Sequence, residues 1–148
     1  MFGVQWDLVL KYLETKGTTQ ADLKTDSTNW GNYRNTLWNI TNANSKYLTN
    51  NYGDSWTSGA YGKKDSKKEV LLSTGASETF SKQGIYDIAG NVFEWTLEHD
   101  TSDSRWPCVC RGGNFYNNGS SISTPADCRR GSSTTSYDNG NGFRLSLY

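Results

Sequence analysis

GIYDIAGNVFEW, residues 84–95, sets a short polar turn between apolar runs. Its tail, extended to VFEWTLE at residues 92–98, alternates apolar and polar side chains with aromatic and β-branched content, which predicts a strand. Its head places Asp87 just before Ala89-Gly90-Asn91, where Gly90 permits a tight turn. Two chemistries suit the acidic residues. In one, Asp87 and Glu94 offer hard carboxylate oxygens, with the carbonyls of Gly90 and Val92 turned inward between them, a set suited to Ca²⁺. In the other, Asp87 caps the turn and Glu94 pairs with a buried arginine such as Arg111 or Arg144. Trp95, following the turn, is expected to be buried against the sheet core.

Working outward, CVCRG at residues 108–112 and FRLSL at residues 143–147 show the same alternation and predict two more strands of a twisted, mainly antiparallel sheet in the C-terminal half. Toward the N-terminus, Trp6, Val9, Leu10 and Leu13 recur at helical spacing and Gly17 stands where a C-cap belongs, so residues 5–16 are predicted helical. The Asn- and Thr-rich stretch at residues 18–65 carries Trp30, Trp38 and Trp56, which argues for packed irregular structure rather than disorder. KKDSKK at residues 63–68 reads as a solvated loop. No repeat at a fixed period is present.

A chain of 148 residues fits one domain spanning 1–148. Hydrophobic content is low at 34%, but aromatic residues at 14% supply large buried area from few side chains. Fifteen basic and fifteen acidic residues leave no net field to attract phosphate backbones, so nucleic acid is not an expected partner. No apolar run approaches the roughly 20 residues of a membrane helix, and MFGVQWDLV lacks a basic n-region and an apolar signal core, so neither membrane insertion nor a targeting signal is expected. Cys108, Cys110 and Cys128 lack zinc spacing. Free thiols are the favoured reading, with a disulfide from Cys128 as the alternative. The lone His99, beside acidic residues, reads as a surface residue.

Between Asn114 and Gly142 the chain uses no Lys, Glu, Gln, Trp, Met, Leu, Val or His. The residues it does use can all be written with codons ending in a pyrimidine, whereas Lys, Glu, Gln, Trp and Met cannot. That is the pattern left when the adenines of AAC asparagine codons are randomised. A polar, turn-rich terminus is the plainer explanation. Either way, Asn, Ser, Tyr and Gly on loops held by a scaffold make an adaptable binding surface. The candidates are Phe115, Tyr116, Asn117, Asn118, Ser121, Ile122, Cys128, Arg130, Ser132, Tyr137, Asp138 and Asn139, expected to cluster on one exposed face with Tyr116 and Tyr137 as anchors.

Three pieces in order, GIYDIAGNVFEW, Arg111-Gly112-Gly113 and Gly142-Phe143-Arg144, resemble the signature of the formylglycine-generating-enzyme-like branch of the C-type lectin fold. The resemblance implies an α+β fold, irregular, with a small twisted antiparallel sheet. The helix near Gln5 and the TNWGNY segment are similar to the form found in prophage and gut-bacterial proteins. The family usually has another strand and helix before that first helix. Relatives of this kind hold calcium at the positions of Asp87, Gly90, Val92 and Glu94, which makes a structural calcium ion the one cofactor implied. Enzymatic members use cysteines at the positions occupied here by Asn117 and Ile122, and neither of these forms a thiolate or binds copper. A histidine-rich iron site, used by the related sulfoxide synthases, has no counterpart beside His99.

The segment at residues 114–142 also resembles the variable region of diversity-generating retroelement proteins. These resemblances imply a noncatalytic recognition domain on a phage tail or bacterial surface, whose partner is a protein or glycan on a target cell. The alternatives are a formylglycine-generating-type oxidoreductase with relocated chemistry and a purely structural virion domain.

Overall fold

Trp6, Leu10 and Leu13 recur on one side of a helix, and that side is buried. In the computed structural model, which describes residues 1–49, 55–122, 124–135 and 138–145, helix α1 spans Gly3–Thr15. It starts at Gly3 rather than Gln5 because the Phe2 amide donates to Gln5 Oε1 at 2.7 Å, closing the first turn. It stops at Gly17, whose φ of 97° turns the Gly17 and Thr18 amides back onto the carbonyls of Glu14 and Leu13. A short helix α2, Gln20–Lys24, follows, capped by the Thr19 side chain accepting from the Asp22 amide.

The Asn-rich middle is packed rather than loose. Its strands are short: β1 (Trp38–Asn39), β2 (Lys46–Leu48), β3 (Thr57–Ser58), β4 (Gly62–Lys63) and β5 (Leu71–Leu72). Trp30 and Trp38 are buried, whereas Trp56 is largely exposed. Trp38 joins Val70, Leu72, Ala76 and Phe80 in a core cluster of their own. Residues 64–68 are exposed, as a solvated basic loop requires, but Lys63 departs from it: it is fully buried, and its Nζ donates to the carbonyls of Tyr33 and Arg34 at 2.7 and 2.6 Å. Burial lowers its pKa to about 8.

The signature itself begins in a hairpin, β6 (Ser81–Lys82) with β7 (Ile85–Tyr86), and then turns through three residues with positive φ: Asp87, Gly90 and Asn91. Asn91 shows why this turn takes asparagine. Its side-chain amide exchanges hydrogen bonds with both backbone groups of Leu72, at 3.1 and 3.0 Å, and so stands in for a strand partner. Its Oδ1 also accepts from Asn32 Nδ2 at 3.0 Å. Gly90 is required for a second reason, since a Cβ there would lie 2.6 Å from the Asn32 carbonyl oxygen.

Four strands then form the main sheet: β8 (Phe93–His99), β9 (Cys108–Arg111), β10 (Arg129–Ser132) and β11 (Asn141–Phe143), in the order β10-β9-β8-β11. All neighbours are antiparallel except β11, which runs parallel to β8. The predicted strand at residues 143–147 is therefore shifted toward the N-terminus. Arg144 and Leu145 lie beyond its end, and residues 146 and 147 lie outside the described residues. Arg144 leaves the ladder to grip Glu94, with Nε and NH2 donating to the two carboxylate oxygens at 2.9 and 2.7 Å.

The sheet's two faces do different jobs. Toward α1, Arg111 pairs with Glu98 at 2.7 Å and with Asp7 at 3.2 Å, and the Trp6 indole donates to the Ala126 carbonyl at 3.0 Å. Toward the other side, Phe93, Cys110 and Cys128 form a small cluster on which Trp95 rests. Trp95 is thus half-buried on this outer face, not enclosed in the main core as expected, because alternation from Phe93 puts it on the side away from α1.

Candidate functional site

The outer face of the sheet is the floor of a cleft of about 540 Å³. Among the described residues, six of the twelve that line it come from the compositionally narrow segment: Asn114, Arg130, Gly131, Ser132, Asp138 and Asn141. Phe93 and Cys110 complete the floor, and the loop joining β8 to β9 supplies a wall with Asp100, Ser102, Asp103 and Trp106. The register explains the convergence. Arg130 sits opposite Cys110, and Asn141 opposite Phe93, so both edge strands aim side chains at one surface. Gly131 lets the wall close in, since a Cβ there would lie 3.0 Å from the Trp106 carbonyl oxygen.

The wall carboxylates have local duties. Asp100 accepts from the Ser102 hydroxyl and amide at 2.6 and 2.9 Å, and these bonds hold its pKa below the usual range. Asp103 is clasped by Arg105, with NH2 to Oδ2 at 2.6 Å, and its pKa is lowered likewise. Asp138 Oδ1 accepts from the Gly140 amide at 2.7 Å. Arg130 differs: its guanidinium stands 5.7 Å from the Phe93 ring centroid.

The twelve candidate residues do not form one face. Arg130, Ser132 and Asp138 line the cleft. Phe115 and Cys128 are corrections: they are 1% and 6% exposed, the Phe115 ring lying tilted against Tyr116 with centroids 4.1 Å apart and Cys128 behind the cleft floor. Asn117, Asn118, Ser121 and Ile122 belong to a separate loop docked on residues 27–35, where the Asn117 carbonyl accepts from the Arg34 amide at 2.7 Å and the Gly119 amide donates to Asn35 Oδ1 at 3.1 Å. Ile122 on that loop is fully exposed. Tyr116 and Asn139 are half-buried, and Tyr137 lies outside the described residues. The Trp106 wall escaped sequence reading. Its signal was an Asp/Ser-rich connection between two predicted strands with a tryptophan at its end.

Of Asp87, Gly90, Val92 and Glu94, all on the signature turn and the start of β8, the two acidic residues are drawn together by Arg144, and they are unequally available. Both oxygens of Glu94 hold Arg144, whose NH2 also donates to the carbonyls of Tyr86 and Asp87 at 2.9 and 3.2 Å. Asp87 accepts from the Gly75 amide through Oδ2 at 2.8 Å, while its buried Oδ1 has no hydrogen-bond partner among the described residues. Burial pushes the Asp87 pKa up to about 6. Arg144 already supplies the counter-charge to Glu94, which leaves Asp87 Oδ1 as the one oxygen of these two carboxylates without a partner among the described residues.

Cys108, Cys110 and Cys128 form no disulfide in the structure. Burial raises Cys110 to about 11 and Cys128 to about 12, so both keep their protons at neutral pH. Among the described residues no group of three His, Cys, Asp or Glu side chains is placed to hold a metal ion. Among the described residues no helix is long and apolar enough to cross a membrane.

Compared with known proteins, residues 1–147 match the family model of the sulfatase-modifying factor enzyme 1-like domain. Neither the curated proteins nor the solved structures give a significant match.

Proposed function

Because the chain belongs to the sulfatase-modifying factor enzyme 1-like domain family, whose scaffold carries both catalytic and noncatalytic sites, we propose that it is a noncatalytic recognition domain that binds its ligand in the cleft over the main sheet. One observation carries the reading: half of the described cleft lining comes from the compositionally narrow segment, while the scaffold beneath is tied down by Arg111 and Arg144. Side chains on such a lining change without disturbing the core, which suits a variable surface. The positions of the enzymatic cysteines hold Asn117 and Ile122, and burial keeps the one thiol that lines the cleft, Cys110, protonated at neutral pH.

On this reading the chain is the variable ligand-binding domain of a phage tail or bacterial surface protein, and its partner is a protein or glycan on a target cell. The test is a screen of the whole chain against arrayed surface glycans and proteins. Captured ligand should be lost when Ser132→Trp fills the cleft. Binding indifferent to that substitution, or copper-dependent oxidation of a cysteine-containing sulfatase peptide above background, would overturn the proposal. A neighbouring reverse transcriptase gene and a near-copy of the 3′ coding segment would establish the origin of the narrow alphabet.

A further inference from the structure

We propose that the cleft takes a sugar bearing a carboxylate, with Arg130 holding the acid group. The inference rests on the cleft being the binding site and adds the chemistry of its occupant. The neighbouring arginines are engaged: Arg129 with Glu98 at 2.8 Å, Arg111 with Glu98 and Asp7, Arg105 with Asp103, and Arg144 with Glu94. Arg130 is exposed and rests on the Phe93 ring, and among the described residues no carboxylate meets its guanidinium. A guanidinium stays charged at every physiological pH and presents a planar fork of N–H donors that matches a carboxylate.

The rest of the cleft narrows the choice. Asp100, Asp103 and Asp138 place three carboxylates around the same space, the first two partly offset by Arg129 at 3.5 Å and Arg105 at 2.6 Å. A doubly charged phosphate would meet more repulsion from them than a singly charged carboxylate. Asp138 has one carboxylate oxygen beyond the one bonded to Gly140, and Asn114, Ser132 and Asn141 add neutral polar groups. Apart from Arg130 the cleft is therefore rich in acceptors, and its complement is a ligand rich in hydroxyl donors with one acidic acceptor. Trp106, 45% exposed on the wall, offers an aromatic side chain to the C–H face of a sugar ring. The cleft's volume lies within the usual range for small-ligand sites.

Titration calorimetry of the whole chain tests this with oligosaccharides ending in glucuronate or in N-acetylneuraminate, each beside its carboxyl-reduced alcohol. At least one acid should bind about tenfold more tightly than its alcohol, the scale of one charge-assisted pair. Comparing the two acids identifies the source of the carboxylate. Arg130→Met keeps side-chain packing on Phe93 without donors and should reduce the acid to the level of its alcohol, whereas Asn117→Ala on the separate loop should leave the ratio unchanged. Equal binding of acid and alcohol, a ratio that survives Arg130→Met, or no binding of any of the four sugars would overturn the inference. A neutral sugar or protein bound in the cleft and lost with Ser132→Trp would overturn the acid assignment yet leave recognition standing. Binding that no cleft substitution affects would remove both.

Discussion

Residues 114–126 and residues 129–141 share a composition rich in Asn, Ser, Gly and Thr, yet the first arm is pinned along its backbone and the second is held by strand pairing at its ends. In the first arm the Phe115 amide donates to the Asn91 carbonyl, the Gly119 carbonyl accepts from the Ser27 amide, and the Ala126 amide donates to Ser27 Oγ. In the second, β10 and β11 sit on opposite edges of the sheet and direct Arg130, Ser132 and Asn141 toward the cleft. Composition reports which side chains are present. It does not report whether they or their backbone carry the fold.

The contrast breaks most visibly at the start of the first arm. Gly113 has a φ of 75°, and a Cβ there would collide with the Thr124 carbonyl, so Gly113→Ala combines backbone strain with overpacking and should cost about 3 kcal/mol or more in urea unfolding. Phe115→Ala should cost roughly 3–5 kcal/mol, as for a large aromatic deleted from a core. In the second arm, Ser132→Ala and Asp138→Ala should each change stability by no more than about 0.5 kcal/mol. Comparable losses in the two arms would dissolve the distinction.

The signature turn gives a smaller effect with a definite sign. The folded pKa of Asp87, about 6, lies above its ordinary value of 3.8, so the neutral acid is favoured by folding. Its contribution to stability is fully present below pH 3.8 and is lost as pH rises through about 6. Asp87→Asn should therefore gain about 2 kcal/mol on the wild type at pH 7 relative to pH 4, read from paired denaturation curves. An unchanged difference between the two proteins across that range would contradict the burial of a charged Asp87. Smallest of all, a chelator should leave the melting temperature unchanged, since Arg144 provides the counter-charge for Glu94. A fall that Asp87→Ala abolishes would instead place a cation on the open oxygen.

The frame was legible because its determinants are local. Trp6, Leu10 and Leu13 mark a helix by spacing, and VFEWTLE marks a strand by alternation. The pairing of Glu94 with an arginine was readable as a choice between Arg111 and Arg144. What remained open was which one, because the parallel placement of β11 beside β8 is a tertiary fact. Lys63 was misread for the same reason. Its partners are backbone carbonyls of Tyr33 and Arg34, which no charge pattern announces. In the candidate site, Arg130, Ser132 and Asp138 were legible from composition, but Phe115 and Trp106 were not. Aromatic residues serve cores and surfaces alike, and only the course of the chain decides between them.

The most direct measurement of the central claim compares two triple variants for melting and for binding of a ligand captured by the wild-type chain. Arg130→Ser, Ser132→Ala and Asp138→Ser together should melt within a few degrees of the wild type and lose the ligand. Asn117→Ala, Asn118→Ala and Ser121→Ala together should retain it. A first triple variant that keeps the ligand, while the second loses it, would place recognition on the docked loop and contradict the account.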